Sequence, residues 1–414
     1  MAGSVTVLGA GIVGISCALE LQRRGLQVTL IDRQGPGEGA SSGNAGILSY
    51  GNITPIAAPQ LLRRSIRLLL NRETDFRLHY PHFPHLLPWL LRFMQRCRHS
   101  TYMHDGNAMR AITVPSIEIH RQWITEAGIQ NLVNAGNGGL KLYRSPATFQ
   151  RDQIERDLWD RCQIKFTELS MDDAYALEPG LNRIFSKAVL VNDSISLRDP
   201  QKLCIAYANL FRQAGGEFKQ DAVTAIKPDG QGWSLLAEQH EISVEKLVLC
   251  LGAWTPELLQ PLGYRNPLAI ERGYHMVFAA RENYRLSRPI FDCDASYVMI
   301  PMEAGLRVTT GTNLVYREAE PDPYQLAQIT PRVREAFPVG EALLDTPWMG
   351  RRPTVPDTLP LIGRAPRHAN LWLAFGHSHM GLTQGPISGR LIANDILAET
   401  QPFDVSSCNP ARYL

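Results

Sequence analysis

The sequence is poor in the features that mark several large classes of protein. Its seven cysteines (Cys17, Cys97, Cys162, Cys204, Cys250, Cys293 and Cys408) are odd in number and contain no CxxC pair. That usage excludes a disulfide framework and a cysteine-built zinc site, and it fits a reducing compartment. Charge of either sign is not in excess: 42 Lys and Arg against 40 Asp and Glu leave a net charge of +2. A polyanion-binding surface built on bulk charge is therefore not expected. No apolar run approaches the ~20 residues that a membrane span needs. No secretory leader is visible either, because glycines interrupt the apolar N-terminus, and a cytoplasmic location is the expectation.

At 414 residues and 44% hydrophobic, the chain is long enough for two domains of ~150–250 residues each. Its first third is the most informative. "SVTVLGAGIVGISCALELQRRGLQVTLID" reads as a buried strand, a glycine turn, a helix that ends at Gly25 and a second strand, Val28 to Ile31, that delivers Asp32. Gly9 makes the tight turn, Gly11 lets backbone approach a pyrophosphate, and Gly14 permits close contact of helix and strand. The helix N-terminus offers free N–H groups to phosphates. Asp32 can accept ribose hydroxyls, and its charge repels a 2′-phosphate. The pattern predicts an adenine dinucleotide site.

A nicotinamide domain would continue with further strand–helix–strand units. Instead comes the long loop "RQGPGEGASSGNAGILSYGNITPIAAP". Ser41, Ser42 and Asn44 offer polar groups, and Ala45 and Gly46 let backbone amides come close, which suits the far half of a longer ligand ending in an isoalloxazine ring. Downstream, Asp199 and Pro200 are placed as N-cap and first residue of a helix to about Ala214. A buried strand, Leu247 to Leu251, ends at Gly252-Ala253-Trp254, where backbone lies close to a ligand. Alternating strands from Leu268 to Thr312 suggest the sheet of a second domain. Between them, Leu61 to Arg98 interleaves leucines with Arg63, Arg64, Arg67, Arg92, Arg96 and Arg98. Two readings stand: helices packed on the core with solvated arginines, or a peripheral membrane contact. His79, His82 and His85 are interrupted by prolines and lack acidic neighbours, so no metal site is expected there or elsewhere.

Two C-terminal segments complete the pattern. "GRRPTVPDTLPLIG" holds two arginines in a proline-stiffened segment, and a guanidinium fork can grip a carboxylate bidentately. "NLWLAFGHSHMGLTQG" is a buried strand, a glycine turn and a helix N-terminus. The spacing of His377 and His379 is not that of a helical zinc pair, and the stretch has no GxSxG elbow. Aimed at a flavin's N1/C2 edge, that helix end would stabilise the reduced ring.

Together with "SSGNAGILSYGNITPIAAP" and "LVLCLGAW", these segments resemble, in order and over essentially the whole chain, the FAD-dependent D-amino acid oxidase/dehydrogenase superfamily. The similarity is to the bacterial D-amino acid dehydrogenase small-subunit branch and to D-proline and cis-4-hydroxy-D-proline dehydrogenases. The resemblance implies an α/β (α+β) fold with two domains interleaved in sequence. A Rossmann-type FAD-binding domain would take residues 1–60, about 195–265 and 345–414. A mostly antiparallel β-sheet substrate domain with a helical insertion would take about 61–194 and 266–344. FAD, held non-covalently, would contact Gly9, Gly11, Ile12, Val13, Gly14, Asp32, Arg33, Ser41, Ser42, Asn44, Ala45, Gly46 and Ile47. Further contacts would come from Val223, Gly252, Ala253, Trp254, Gly376, His379, Met380, Gly381, Leu382 and Thr383.

The implied reaction moves a hydride from the Cα of a D-amino acid to flavin N5 and gives an imino acid. Arg352, in its Gly-x-Arg-Pro context, would hold the substrate carboxylate. Tyr50 and Tyr274 would stand at the pocket, and His377, His379 or Tyr274 would relay the amine proton, with loss to water equally consistent. The second histidine of "GHSHMGLT" leans toward D-proline or cis-4-hydroxy-D-proline. A quinone or other respiratory acceptor at the inner face of the cytoplasmic membrane is a further implication. The alternative is a flavoprotein subunit of a heteromeric complex resembling hydrogen cyanide synthase or proline dehydrogenase.

Overall fold

A computed structural model describes residues 3–72, 76–238, 240–281 and 284–414; the side chains of Arg63 and His82 lie outside the described residues. The N-terminal pattern folds as its periodicity requires. Strand Ser4–Leu8 leads through the glycine turn into helix Ile12–Arg23, and strand Gln27–Asp32 returns parallel to the first. These strands sit in the middle of a six-stranded sheet. Its order is Leu361–Arg364, Leu371–Phe375, Lys246–Leu249, Ser4–Leu8, Gln27–Asp32 and Glu217–Gln220, parallel except at the Leu361–Arg364 edge. Val7, Leu30, Leu247, Leu249 and Leu373 are buried, as the continuous apolar runs of a doubly covered parallel sheet demand.

Helix Ile12–Arg23 packs against the C-terminal helix Gly381–Ile396. The approach is close enough that a Cβ on Gly389 would overlap the Ser16 carbonyl, and one on Gly385 would meet Ile12 Cγ1 at 3.0 Å. Two helices distant in sequence thereby start at the same edge of the sheet.

The second layer is an eleven-stranded mixed, mainly antiparallel sheet among the described residues. Its longest strand, Ala269–Ala280, pairs with Gly305–Thr309, Thr312–Val315 and Trp348–Thr354. The register sets Glu271 opposite Arg352 and His275 opposite Trp348. The segment expected to join the nucleotide domain from about 345 thus starts in the large sheet and enters the six-stranded one only at Leu361. Two short helices, Pro146–Arg151 and Gln153–Arg161, meet at Asp152. Asp199 caps helix Pro200–Gln213 as expected, accepting from the amides of Gln201 at 2.9 Å and Lys202 at 3.0 Å.

Helices Gln60–Leu69 and Phe83–Arg96 lie on the large sheet's side, where Leu86 is buried and the Trp89 indole donates to the Thr354 carbonyl at 3.0 Å. Their other faces leave Ile66 72% and Leu91 57% exposed. No helix among the described residues is long and apolar enough to cross a membrane, and all seven cysteines are free thiols.

Because the helix pair depends on absent side chains, Gly389→Ala is expected to destabilise the protein by ~1–3 kcal/mol. Thermal denaturation against the parent chain checks this; an unchanged melting temperature would show that the pair can separate without cost.

Candidate active site

A cavity of about 620 Å³ runs from the edge of the six-stranded sheet to the face of the large one, within the size range of small-molecule sites. Its first end is built by the glycine turn. Gly9 adopts φ +105°, and a Cβ there would stand 2.5 Å from the Cys250 carbonyl oxygen. Gly11, Ile12 and Val13 line the wall, while Gly14 sits behind it, its Cα against the Gly9 carbonyl. The Ile12 amide donates to Ser41 Oγ at 3.1 Å. Asp32 lines the cavity with Arg33, and its carboxylate accepts from the amides of Ala10 at 2.6 Å and Gln34 at 2.9 Å. Lone pairs on both oxygens remain for a ligand. Val223, Gly252, Ala253 and Trp254 close this end. The Trp254 ring lies among three guanidiniums: Arg33 at 5.0 Å, Arg317 at 5.6 Å and Arg351 at 5.9 Å.

The loop after Asp32 contributes Ser41, Asn44, Ala45 and Ile47 to the lining. Ser42 instead donates to the Gly39 carbonyl at 2.9 Å, and Gly46, at φ +68°, accepts from the Leu197 amide at 2.7 Å. Arg307 holds this loop, donating to the carbonyls of Asn44 at 2.6 Å and Ser42 at 3.3 Å.

The C-terminal turn reaches the cavity at His377, His379, Gly381 and Leu382. Gly376 (φ +78°), Met380 and Thr383 support it from behind; the Thr383 hydroxyl donates to the Ile47 carbonyl at 3.3 Å. The Ser378 amide donates to the Pro353 carbonyl at 3.0 Å, which fastens this turn to the strand carrying Arg352. His377 Nε2 bonds Ser388 Oγ at 2.8 Å, and that hydroxyl donates onward to the Gln384 carbonyl at 2.7 Å. With its only proton so used, the Ser388 hydroxyl accepts, and His377 carries its proton on Nε2. Burial pushes the His377 pKa down to about 3. His379 shows surface to the cavity rather than to open solvent; burial first, and then the Arg352 charge, push it down to about 4. His120, which sequence reasoning missed, spans Tyr207 Oη and the Leu382 carbonyl, each at 2.9 Å, and is held at about 4 by burial.

At the far end Arg352 lies flat along Gly273, where a Cβ would come within 2.5 Å of its Cζ. Its Nη1 reaches the Gly311 carbonyl at 3.4 Å, and buried Glu271 is its cross-strand neighbour. Burial raises the Glu271 pKa against the lowering pull of Arg352, and burial lowers that of Arg352. The Tyr274 ring lines the cavity, but its hydroxyl accepts from the Asp322 amide at 2.8 Å. Tyr50 does not line the cavity: its hydroxyl donates to Glu118 on helix His99–Glu126. Residue spacing gave no way to see that turn of the chain. Trp348 and His275 form a wall that sequence reasoning also missed. Their rings stack at 4.8 Å and 13°, and Gly43 and Gly350 leave room for the indole. His275 Nδ1 is buried without a hydrogen-bond partner, as are Ser378 Oγ and Thr354 Oγ1. No group of three or more His, Cys, Asp or Glu among the described residues could hold a metal ion.

The model of the FAD dependent oxidoreductase family, DAO, matches residues 4–394. The chain belongs to this family. As a DAO-family oxidoreductase it uses FAD. The site fits that cofactor: a glycine cradle with no room for Cβ atoms, two helix N-termini, an acid with lone pairs to spare, and unpartnered polar atoms along the wall. The chain is 29% identical over 419 residues to a D-amino-acid oxidase of Bradyrhizobium diazoefficiens, covering 99% of each. It is 29% identical over 425 residues to D-amino acid dehydrogenase 2 of Pseudomonas aeruginosa, again covering 99% of each. In fold it resembles glycine oxidase from Geobacillus kaustophilus (TM-score 0.74, 20% identity, 100% of both chains). It also resembles L-proline dehydrogenase from P. horikoshii (TM-score 0.71, 16% identity, 100% of this chain and 98% of the other).

The buried histidines give this DAO-family member an acid-sensitive fold. His120 and His377 stay neutral when folded but protonate near 6.5 when unfolded. The unfolded state therefore binds more protons, and stability falls as pH drops from 6.5 toward 4, by ~1.4 kcal/mol per pH unit for each histidine. A His377→Gln variant should show a shallower fall of melting temperature across that window, and an unchanged slope would contradict the assignment.

Proposed function

We propose that the protein oxidises D-amino acids at the carbon bearing nitrogen, with a preference for cyclic secondary amines such as D-proline or cis-4-hydroxy-D-proline. The observation that carries the reading is Arg352. It is a guanidinium at the end of the cavity opposite the nucleotide cradle, with one long bond to a carbonyl and room for a carboxylate. The names of the two relatives, both acting on D-amino acids, support the stereochemistry. The flat Trp348–His275 wall supports a ring-shaped substrate, whose C–H surface packs well on an aromatic face.

FAD, held by the glycine turn, Asp32 and the two helix N-termini, would supply a two-electron acceptor for the substrate's C–N oxidation. The chain's own residues set up that event. Arg352 holds the carboxylate bidentately and fixes which hydrogen points along the cavity. Glu271, buried on the neighbouring strand, backs the guanidinium from across the register. Tyr274 serves as a wall whose hydroxyl is engaged with Asp322.

The substrate nitrogen must be neutral, and neither histidine stores its proton. His379 is depressed to about 4 and repelled by Arg352, so it is too weak a base for an ammonium group. His377 Nε2 is committed to Ser388. The proton therefore leaves to water, and both histidines act as positioning residues of the turn. The domain boundaries given above belong to this proposal, with Trp348–Thr354 counted in the large sheet.

A quinone or other respiratory acceptor and a peripheral membrane contact extend the reading. The exposed leucines and isoleucine of Gln60–Leu69 and Phe83–Arg96 support them. The heteromeric-subunit alternative is distinguished by activity of the isolated chain.

The visible spectrum of the FAD-loaded protein, recorded anaerobically with D-proline, cis-4-hydroxy-D-proline, D-alanine and their L-isomers, tests the substrate class. Bleaching by D-isomers only, fastest with the cyclic amines, is the expected result; a flavin that no amino acid bleaches overturns the reading. Arg352→Lys should keep the flavin spectrum yet lose ~100-fold in kcat/KM, the cost of removing half of a bidentate grip. An unchanged value would move the carboxylate site elsewhere.

A further inference from the structure

A second cavity, of about 580 Å³ and open to solvent, shares no lining residue with the first. Four guanidiniums border it from four separate places in the chain: Arg92 on helix Phe83–Arg96, Arg265 after the Gly263 turn, Arg367 ahead of strand Leu371–Phe375, and Arg412 in the last turn. The neighbouring acids are already engaged. Asp357 accepts from Arg412 Nε at 3.0 Å and Nη2 at 3.3 Å, and Asp105 pairs with Arg96 at 2.5 Å. Arg367 is held over the Tyr264 ring at 4.2 Å, and its amide donates to the Tyr264 hydroxyl at 3.2 Å. Arg92 and Arg265 make no hydrogen bond, ion pair or ring contact among the described residues.

Arg412 is matched by Asp357, but Arg92, Arg265 and Arg367 make no ion pair among the described residues; like charges so gathered raise each other's energy, and an anion that fits between them relieves it. Guanidinium forks match the paired oxygens of a phosphate. We propose that this cavity binds a phosphate group, with Arg92, Arg265 and Arg367 as its ligands. The proposal stands apart from the reaction and from the membrane reading, since free phosphate would serve. The surroundings nonetheless admit a lipid headgroup as source. Leu87 and Leu91 are exposed on the helix that carries Arg92, and residues 39–72 and 76–104 contain no Asp or Glu.

The test uses full-length, FAD-loaded protein and an Arg92→Gln/Arg265→Gln double variant, whose turnover and melting temperature should match the parent. Calorimetry with inorganic phosphate at fixed ionic strength reads the soluble source. Co-sedimentation with phosphatidylglycerol vesicles, against phosphatidylcholine vesicles, reads the headgroup source. At least one of the two ligands should bind the parent, and the double variant should weaken that binding by ~10-fold or more. Leu91→Glu should abolish vesicle binding and leave phosphate binding intact. The proposal is overturned if the parent binds neither ligand, or if the double variant, melting as the parent does, binds as tightly.

Discussion

The contact on which the site depends is the close packing of helix Ile12–Arg23 against helix Gly381–Ile396. Gly389 sets its backbone directly on the Ser16 carbonyl, and Gly385 does the same beside Ile12. A larger residue at either place would move two helix N-termini apart. Those N-termini, with Ile12 and Val13 from one and Gly381 and Leu382 from the other, border a single cavity. A long dianionic ligand with a ring at its far end needs positive backbone poles at both places. The glycines of the C-terminal helix thus matter as much to the shape of this cavity as those of the N-terminal turn.

A second coupling ties the two ends of the cavity together. The Ser378 amide bonds the Pro353 carbonyl, one residue from Arg352, and so fastens the C-terminal turn to the strand that carries this guanidinium. Arg352 in turn has its place because Gly273 leaves a gap in the neighbouring strand. Arg272, fully buried, donates to the carbonyls of Arg317 and Glu320 at 2.8 Å and braces the loop whose Asp322 amide engages Tyr274. Its charge is met by carbonyl dipoles rather than by a carboxylate, which is an economical solution only where several carbonyls converge.

The electrostatics of the site favour neutral imidazoles. His275, His377 and His379 all lie below their ordinary range, the first two near 3, because burial penalises their charged forms; Arg307 adds to this for His275 and Arg352 for His379. The arginines therefore carry the positive charge of the cavity, and the histidines carry shape and hydrogen bonds. Two histidines beside a glycine turn invite an acid–base reading; burial holds both below their ordinary range.

Much of the nucleotide end was legible in the sequence because its signal is local. A strand, Gly9, Gly11, Gly14, a helix and Asp32 fall within one supersecondary unit, and each residue type is dictated by backbone geometry. The same holds for the Asp199 cap and for the glycine turn before Gly381. The substrate end was not legible in the same way. Arg352 could be proposed from its neighbours, but its partners Glu271 and Gly273 follow only from the register of Ala269–Ala280 with Trp348–Thr354. Tyr50, in a turn, bonds Glu118 on helix His99–Glu126, whereas Trp348, His275 and Arg307 turn inward because pairing between strands far apart in the chain sets which side chains face the cavity. The sequence alone determined the glycine turn and Asp32 at one end of the cavity, because they are a property of nearly consecutive residues. Only the tertiary structure decided the Trp348–His275 wall, because a one-residue shift in register would have exchanged its two faces.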